Sequence, residues 1–354
     1  MVTLADIAKE AGVSTTTASQ VLNSDKSLHR FSAACAERVR RVAEELGYVQ
    51  NHPMRSMRLG RCEQIGFVME TIEIDDTVQS RYWSPMLAGS HCVARQRGHA
   101  MSMIQAPDGH ESVIEHAVRQ VKARRLDGLV VPAVVCEPGL LPTSESVDGV
   151  PCVLIDPRHP TDLPSVSLDE RAGLSKLVSH LAELGHWRFL WLGPRRDNEV
   201  SATRERHFIE LLWQHELHGS SCLIEYPSAP DVDRLFGDVA EALTAQLRDR
   251  PGFTAIVCYN DLIATAACHC LLSRGHRVPQ DFSVTGFDNS FSQTAYPRIT
   301  TVDHELFAMG TAAGELLMDM CGEEARPPRE MLNTRQTLDP PLIVRDSTAR
   351  PPRS

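Results

Sequence analysis

The first 46 residues place apolar side chains at the spacing of an α-helix, with polar residues between them. Leu4, Ile7, Ala8 and Ala11 recur at positions i, i+3, i+4 and i+7, which predicts a first helix with one apolar face. Gly12 follows directly, and glycine just past the last periodic position is typical of a helix end because it adopts the left-handed conformation at little cost. The pattern therefore predicts a short amphipathic helix.

Two further helices follow with the same period. Ser14 can cap a second helix in the run TTTASQVLN, and Ser32 can cap a third. The inward positions of the second helix are Ala18, Val21 and Leu22, and those of the third are Val39, Val42, Ala43 and Leu46. Gly47 closes the third helix. Residues 1–46 are thus predicted to form a three-helix unit with a small apolar core.

From residue 61 the period changes, and short apolar runs alternate with amphipathic helical stretches. The eight runs are IGFVM, AMSMIQA, GLVVPA, PCVLID, FLWLGP, CLIEYP, TAIVCYN and FSVTGF. Strands that alternate with helices predict parallel sheets with helices on both faces. Eight such strands exceed one compact sheet of this kind, so we predict an α/β fold of two doubly wound subdomains. The Pro-rich end, residues 347–354, is predicted to be disordered.

Composition indicates the cellular compartment and shows that charge is unevenly distributed along the chain. The chain has 354 residues, a length that indicates two or three folded units. It contains no apolar run long enough for a membrane span, no secretory signal, and ten cysteines without a Cys-x-x-Cys pair, so we expect a cytoplasmic protein. Residues 1–60 hold eight Lys and Arg against six Asp and Glu, whereas the whole chain has a formal charge of −10. A mildly basic N-terminal segment attached to an acidic chain is typical of a small DNA-contacting module.

The first two predicted helices, joined at Gly12-Val13, have the arrangement of a helix-turn-helix, whose second helix fits the major groove of DNA. The outward positions of that helix are small and polar: Thr15, Thr16, Thr17, Ser19 and Gln20. Glutamine can make a bidentate contact to adenine, and threonine can contact the thymine methyl group. A solvated helix surface explains the same pattern equally well when this helix is considered alone.

Motifs along nearly the whole chain resemble those of the lactose-repressor (LacI/GalR) family. They are VTLADIAKEAGVSTTTASQVLN, AEELGYVQN, RSMRLGR before IGFVM, then LIDP, AELGH, YNDLIA, VTGFDN, ITTVD and LIVRDST. The resemblance implies a helix-turn-helix headpiece, a hinge helix and a core similar to periplasmic sugar-binding proteins. It further implies a ligand-responsive repressor of sugar or related carbon-source genes that binds a pseudo-palindromic operator as a homodimer.

The resemblance assigns DNA-contacting roles in the headpiece. Thr15, Thr16 and Gln20 match base-contacting positions of the recognition helix. Positions that contact phosphates without specifying sequence are Thr3, Ser14, Thr17, Ser19 and Asn23.

In the hinge, Asn51 matches the helix cap and Met57 matches the side chain that wedges between two base pairs in the minor groove. Arg58 follows it and suits the negative potential of that groove. We expect the headpiece at 1–46 and the hinge at 47–60.

The core is expected at residues 61–346. The sequence predicts an N-subdomain of about 61–164 and 298–328 and a C-subdomain of about 165–297 and 329–346, with crossings near Ser165, Pro297 and Arg329. Ligands of open α/β sheets bind beyond the carboxyl ends of strands. We therefore expect a cleft there for a sugar, a sugar acid or a similar polar metabolite.

Polar residues that match the family's effector-binding positions lie at these strand ends. They are Asp156, Arg204, Asn260 and Asp288, with Tyr82 and Trp83 matching aromatic residues that stack on a ring. Arg206 is a rival to Arg204, because the run RERHFIELL lacks the family's usual Gly-aromatic pair. For any single Asp or Asn, a cap at a strand end is as good an explanation as ligand binding.

Other functions have less support in the sequence. Cys268-His269-Cys270 resembles a metal cluster, but neighbours on a helix point in different directions, so we expect no metal and no cofactor. There is no HExxH, P-loop or GxGxxG after a strand, and nothing supports an enzyme. A periplasmic sugar receptor would share the core but would lack the headpiece.

Overall fold

The computed structural model describes two compact units, which are Met1–Glu63 with Arg124–Leu126, and Gln64–Ala123 with Asp127–Ser354. The described residues are 2–23, 31–49, 60–69, 77–105, 112–133, 141–195, 199–225, 232–248, 252–290, 292–322 and 334–352. The predicted hinge residues Asn51, Met57 and Arg58 lie outside this set.

The first unit contains the three predicted helices, α1 (Leu4–Ala11), α2 (Thr15–Asn23) and α3 (Ala33–Glu45). A capping box starts α1: Thr3 accepts from the Asp6 backbone N–H, and the Asp6 carboxylate accepts from the Thr3 backbone N–H at 2.8 Å. Gly12 ends α1 with φ of 63°, a left-handed conformation in which glycine avoids Cβ strain. The predicted first helix and its end at Gly12 are thus confirmed, whereas the Thr3 cap was not predicted.

The next two helices begin at the predicted serines. Ser14 Oγ accepts from the Thr17 N–H at 3.0 Å, and Ser32 Oγ accepts from the Cys35 N–H at 3.3 Å. Arg38 Nε donates to the Ala11 carbonyl at 3.0 Å, which satisfies an acceptor at the carboxyl end of α1. The core of this unit is formed by Ile7, Ala8, Ala11, Ala18, Val21, Ala36, Val39, Val42 and Ala43.

The first sheet of the second unit has six parallel strands. They are β1 (Gln64–Val68), β2 (Ala100–Ile104), β3 (Gly128–Pro132), β4 (Cys152–Ile155), β5 (Ser165–Leu168) and β11 (Arg335–Leu338), in the spatial order β11-β5-β4-β3-β1-β2. Its helices are α4 (Thr77–Gln96), α5 (Val113–Lys122), α6 (Ser144–Val147) and α11 (Leu306–Met320). The central strand β3 is buried at every position, as expected for a parallel strand covered on both faces.

The second sheet repeats this architecture. Its strands are β6 (Arg188–Pro194), β7 (His218–Ile224), β8 (Ala255–Cys258), β9 (Ser283–Asp288), β10 (Thr300–Asp303) and β12 (Leu342–Ile343), in the order β12-β10-β9-β8-β6-β7. Only β12 pairs antiparallel. The helices around it are α7 (Glu170–Glu183), α8 (Glu199–Gln214), α9 (Val232–Leu247) and α10 (Asp261–Ser273). The predicted α/β class with two subdomains is confirmed.

The chain crosses between the two sheets later than predicted. Ser165 lies in β5, which pairs with β4 of the first sheet, so the first crossing follows Leu168. Likewise β10 pairs with β9 of the second sheet, and β11 pairs with β5 of the first. The predicted crossings near Ser165, Pro297 and Arg329 were therefore each placed one strand too early. The runs SVSL, TTVD and RQTL are short and half polar, so they show no apolar run.

The end of the described chain is ordered, which corrects the prediction of a disordered tail at 347–354. Ser347 is fully buried, and its hydroxyl accepts from the Thr300 N–H at 2.9 Å and donates to the Val284 carbonyl. The Ala349 N–H donates to Ser283 Oγ at 3.0 Å. The Pro-rich composition was misleading because these groups find partners in the second sheet; residues 353–354 lie outside the described part.

Helices α4 and α11 approach each other closely through glycine. A Cβ at Gly310 would lie 2.1 Å from the Met86 carbonyl oxygen, and one at Gly89 would lie 2.2 Å from the Phe307 carbonyl oxygen. Ser90 Oγ donates to the Gly310 carbonyl at 2.8 Å, which joins the two helices at the same place. Within the described residues, no helix is both long and apolar enough to cross a membrane.

Candidate DNA-recognition helix and effector cleft

Helix α2 has one buried and one polar face. Ala18 and Val21 are buried in the core of the first unit, whereas Ser14, Thr15 and Thr16 are exposed. Thr17, Ser19 and Gln20 are half-buried. For Asn23 the structure describes only the helical backbone. The predicted base-contacting threonines therefore lie at the surface of a rigid two-helix element.

Three of the predicted phosphate-contacting hydroxyls take part in hydrogen bonds at the starts of helices. Thr3 Oγ1 donates to the Asp6 carboxylate at 2.7 Å, and these bonds to Thr3 lower the pKa of Asp6. The Ser14 and Thr17 hydroxyls are 2.8 Å apart at the start of α2. Their first role is therefore to fix the ends of the two helices.

In the second unit, a cluster of charged residues lies where strands of both sheets end. Asp156 follows β4 of the first sheet, and Asp288 ends β9 of the second. Their φ angles are 55° and 100°, in the left-handed region that non-glycine residues rarely adopt. Asn289 and Glu305, close by in the chain, also have positive φ. Such backbone outliers concentrate at binding and catalytic sites, which supports a site here.

Six side chains of this cluster form a closed ring of alternating charge, which we call the charged ring. Its members in order are Asp156, His304, Asp288, Arg204, Glu170 and Arg158, and Arg158 contacts Asp156 again. The N–O distances are 3.4 Å for Asp156–His304, 3.2 Å for His304–Asp288, 3.8 Å for Asp288–Arg204, 2.9 Å for Glu170–Arg158 and 2.8 Å for Arg158–Asp156. Arg204 and Glu170 are in direct contact.

The ring connects the two subdomains. Asp156 and Arg158 follow β4 of the first sheet, and Arg204 and Asp288 belong to α8 and β9 of the second. The other two members stand at crossings, with Glu170 just after β5 and His304 just after β10. Each subdomain is thus tied to the other through a residue of a crossing segment.

Burial makes the pairing within the ring essential, because an isolated charge would be strongly destabilised there. Burial alone disfavours a charged imidazole, yet hydrogen bonds to Asp156 and Asp288 outweigh it and raise the pKa of His304 to about 9. Both ring nitrogens of His304 face carboxylate oxygens, the arrangement of a doubly protonated imidazolium. The neighbouring arginines keep the pKa of Glu170 below its ordinary value despite burial.

Aromatic residues hold the buried arginine in place. The Arg204 guanidinium carbon lies 4.0 Å from the ring centroid of Phe287 and 4.6 Å from that of Tyr259. Arg204 also donates to the Tyr259 carbonyl at 2.7 Å. On the first-sheet side, the Tyr82 hydroxyl donates to Asp156 at 3.2 Å. The charged ring is therefore in contact with aromatic residues on both the first-sheet and second-sheet sides.

Two cavities border the ring. One of about 310 Å³ adjoins Asp156, Arg158 and Glu170. The remaining residues around it are Pro157, Ser167, Leu168, Asp169, Arg171, Thr203, His207 and Thr337. The other, of about 470 Å³, adjoins Asp288 together with Arg81, Asp303 and Glu305. Both volumes are in the range of small-molecule sites.

The structure brings together four of the seven residues predicted to bind the effector: Tyr82, Asp156, Arg204 and Asp288. Trp83 points into the hydrophobic core and is 5% exposed, so it offers no stacking face. Arg206 is exposed and donates to Thr203, outside the ring. Asn260 Oδ1 accepts from the Ile263 N–H at 3.0 Å and caps α10.

Sequence reasoning missed half of the ring: Arg158, Glu170 and His304. Arg158 stands two residues after the predicted Asp156, so the same strand end pointed to it. Glu170 and His304 follow β5 and β10, two half-polar strands that the apolar pattern did not reveal. Identifying these two segments as strands would have placed both residues at strand ends, where ligands bind.

Two protein families match separate parts of the chain. Residues 3–51 match the bacterial regulatory proteins of the lacI family, and residues 178–348 match the periplasmic binding protein-like domain. The chain is 28% identical over 354 residues to the HTH-type transcriptional regulator GalR of Escherichia coli K12, covering 99% of this chain and 97% of that protein. It is 28% identical over 326 residues to the transcriptional repressor PurR of Aliivibrio salmonicida, covering 90% and 92%.

A solved structure of the lac repressor dimer, bound to operator and the anti-inducer ONPF, has the same fold. Its TM-score is 0.76 at 23% identity, and the match covers 98% of this chain and 99% of that one. A helix-turn-helix unit joined to a two-sheet core of the binding-protein type defines a DNA-binding transcriptional regulator. This chain belongs to the LacI/GalR family.

Proposed function

We propose that this regulator is a repressor of genes for sugar or related carbon-source metabolism. It binds a pseudo-palindromic operator as a homodimer, and a small polar effector in the cleft at the charged ring changes its operator affinity. The relatives GalR and PurR are named as a transcriptional regulator and a transcriptional repressor, and the lac repressor was solved on its operator. A regulator that acts on bacterial DNA works in the cytoplasm.

The charged ring is the observation that supports the effector site. It joins both subdomains and two of the three crossings, so any ligand that replaces one of its contacts changes the preferred closure of the two sheets. A ligand shifts such an equilibrium only through its different affinity for the two states. Asp156, Arg204 and Asp288, with Tyr82, are the residues we expect to touch it.

On the DNA side, the exposed and half-buried face of α2 supports base contacts by Thr15, Thr16 and Gln20. Phosphate contacts that set register are proposed for Thr3, Ser14, Thr17, Ser19 and Asn23. One three-helix unit is small for tight specific binding, which is why two should act on the two halves of an operator.

Selection of binding sites from random DNA tests the operator proposal. We expect a pseudo-palindrome, and Gln20→Ala should relax one base position per half-site at a cost of about 1–3 kcal/mol. Thr3→Ala should instead weaken binding to all sequences alike. Recovery of asymmetric or unrelated sites would exclude the dimeric mode.

Two arginines on one helix give a matched test of the effector site. Compounds that stabilise the protein are first found by thermal shift among sugars, sugar acids and nucleobases, and operator affinity is then measured with and without them. Arg204→Ala should abolish the response to the compound, whereas Arg206→Ala, which changes an exposed residue outside the ring, should retain it. Operator affinity without the compound checks that each variant is folded. An unchanged response in Arg204→Ala would place the effector elsewhere.

A further inference from the structure

The charged ring leaves two buried arginine donors unused. Nε of Arg158 and Nε of Arg204 are buried, and neither has a hydrogen-bond partner among the described residues. The Arg204 side chain is only 3% exposed, so no bulk water reaches it readily. Arginine binds a carboxylate best through two parallel N–H donors. Here each guanidinium gives Glu170 only one terminal nitrogen.

The carboxylates of the ring make their ring contacts through one oxygen each, namely Oδ2 of Asp156, Oδ1 of Asp288 and Oε1 of Glu170. Asp156 accepts from Tyr82 and pairs with Arg158 and His304. Asp288 pairs with His304 and Arg204. None of the buried unpartnered atoms in the described part of the chain is a carboxylate oxygen of the ring. The site therefore has spare donors, and a ligand that completes it must supply acceptors.

The smaller cavity lies beside one of these two arginines and beside the glutamate that joins them. It is about 310 Å³ and adjoins Arg158 and Glu170. Nδ1 of His207, which also borders it, is buried without a partner in the described residues. Ser167, Thr203 and Thr337 contribute hydroxyl groups to its wall. Such a wall suits a small molecule that carries several hydroxyl groups.

We propose that the effector is a sugar acid whose carboxylate takes the place of Glu170 between Arg158 and Arg204. Glu170 occupies that position in the structure through one oxygen, Oε1, which faces both arginines. It lies in the first turn of α7 beside the cavity, so rotation of its side chain opens the position. This proposal rests on the cleft being the effector site, as proposed above.

Charge balance selects this class over neutral and cationic ligands. The ring contains three carboxylates and three cations when His304 is protonated. Departure of Glu170 leaves three cations and two carboxylates in a buried site, and a ligand carboxylate restores the balance. A neutral sugar leaves the excess charge unpaired, and an amine increases it, which is costly away from water.

Calorimetric titration of the full-length protein, at constant ionic strength, tests the proposal with matched probes. The pairs are D-galacturonate with D-galactose and D-gluconate with D-glucitol, and D-galactosamine serves as the cationic probe. Glu170→Gln keeps the side-chain shape and removes the competing charge. We expect it to bind at least one of the two acids at least tenfold more tightly than the wild type does, with the neutral partner unchanged. Glu145→Gln, an exposed glutamate in the first turn of α6, is the matched control and should behave as wild type.

The same titrations can overturn the proposal. Equal or tighter binding of the neutral partner or of galactosamine would refute it, and so would carboxylate affinity that is unchanged, weakened or absent in Glu170→Gln. If Arg204→Ala loses binding of a probe that shows no preference for carboxylates, only the ligand class is wrong. If Arg204→Ala binds every probe as the wild type does, the effector site itself is wrong.

Discussion

At the scale of single residues, protonation of His304 makes the stability of the core depend on pH. Its pKa is raised in the folded protein from the ordinary 6.5 to about 9. A raised folded-state pKa gives stability that is fully present below pH 6.5 and is lost as the pH rises to about 9.

We therefore predict that the core becomes less stable between pH 6.5 and 9, and that His304→Gln reduces this dependence by roughly 1–3 kcal/mol. Urea unfolding at several pH values measures it. His91→Gln, which changes an exposed histidine on α4, should keep the wild-type dependence. Parallel pH profiles of the wild type and His304→Gln would show that the imidazole is not charged in the ring.

Two of the predicted residues of the site were located by the strand pattern. Asp156 directly follows β4 and Asp288 ends β9, and the rule that ligands bind at strand ends pointed to both. Arg204 came from the family resemblance, since nothing in a helical RERHF run distinguishes it from Arg206. Burial decides between the two arginines, and burial depends on tertiary packing that the sequence pattern does not contain.

At the scale of elements, the contact of α4 with α11 depends on glycine. A Cβ at Gly310 meets backbone atoms of Met86, which can move only with the whole helix. We predict that Gly310→Ala destabilises the core by about 1–3 kcal/mol through overpacking. Gly237→Ala is the matched control, because this helical glycine has open space around it and alanine should stabilise α9 by about 0.5–1 kcal/mol. Denaturant unfolding of both variants measures these changes in free energy. An unchanged unfolding free energy in Gly310→Ala would mean that α4 and α11 are further apart than in this structure.

The segment after β12 is a second element with a measurable contribution. Ser347→Ala leaves the buried Thr300 N–H without its acceptor, so we predict a loss of about 1–3 kcal/mol in unfolding free energy. Ser220→Ala, on the exposed part of β7, should change it by less than about 0.5 kcal/mol. Equal effects of the two substitutions would indicate that the segment is not docked on the sheet.

The strands also show which elements the hydrophobic pattern predicts and which it does not. All eight strands with a continuous apolar run are present, and the second and third headpiece helices begin at their predicted caps, Ser14 and Ser32. The four remaining strands, β5, β10, β11 and β12, are two to four residues long at one side of each sheet. The equally short β4 and β8 are apolar throughout and were predicted, whereas β5, β10 and β11 are half polar and β12 has only two residues, so the subdomain boundaries that depend on these four strands were misplaced.

At the scale of the whole molecule, the two units have separate cores of very different size. Nine buried residues form the core of the first unit, whereas the core of the second contains residues from both sheets, such as Phe67 and Trp191. Small cores give marginal stability.

We predict two transitions in urea, with the first unit unfolding at the lower concentration. All four tryptophans, at 83, 187, 191 and 213, belong to the second unit, so their fluorescence should report only the later transition. Far-ultraviolet circular dichroism should show both. Operator DNA should shift only the first, because ligand binding stabilises the unit that binds it. Coincident fluorescence and dichroism curves without DNA would contradict this.

Because the chain crosses three times between the two sheets, both sheets receive their last strands only near the end of synthesis. The three helices of the first unit are complete once α3 has been synthesised. Neither sheet can close at that point, because the first awaits β11 and the second awaits β12 and the segment at Ser347. At about 5–20 residues per second, roughly 15–60 s of translation separate the two events. A nascent chain therefore presents a folded DNA-binding unit well before it has a cleft, and a ribosome that stalls in this interval holds a headpiece that no effector can control.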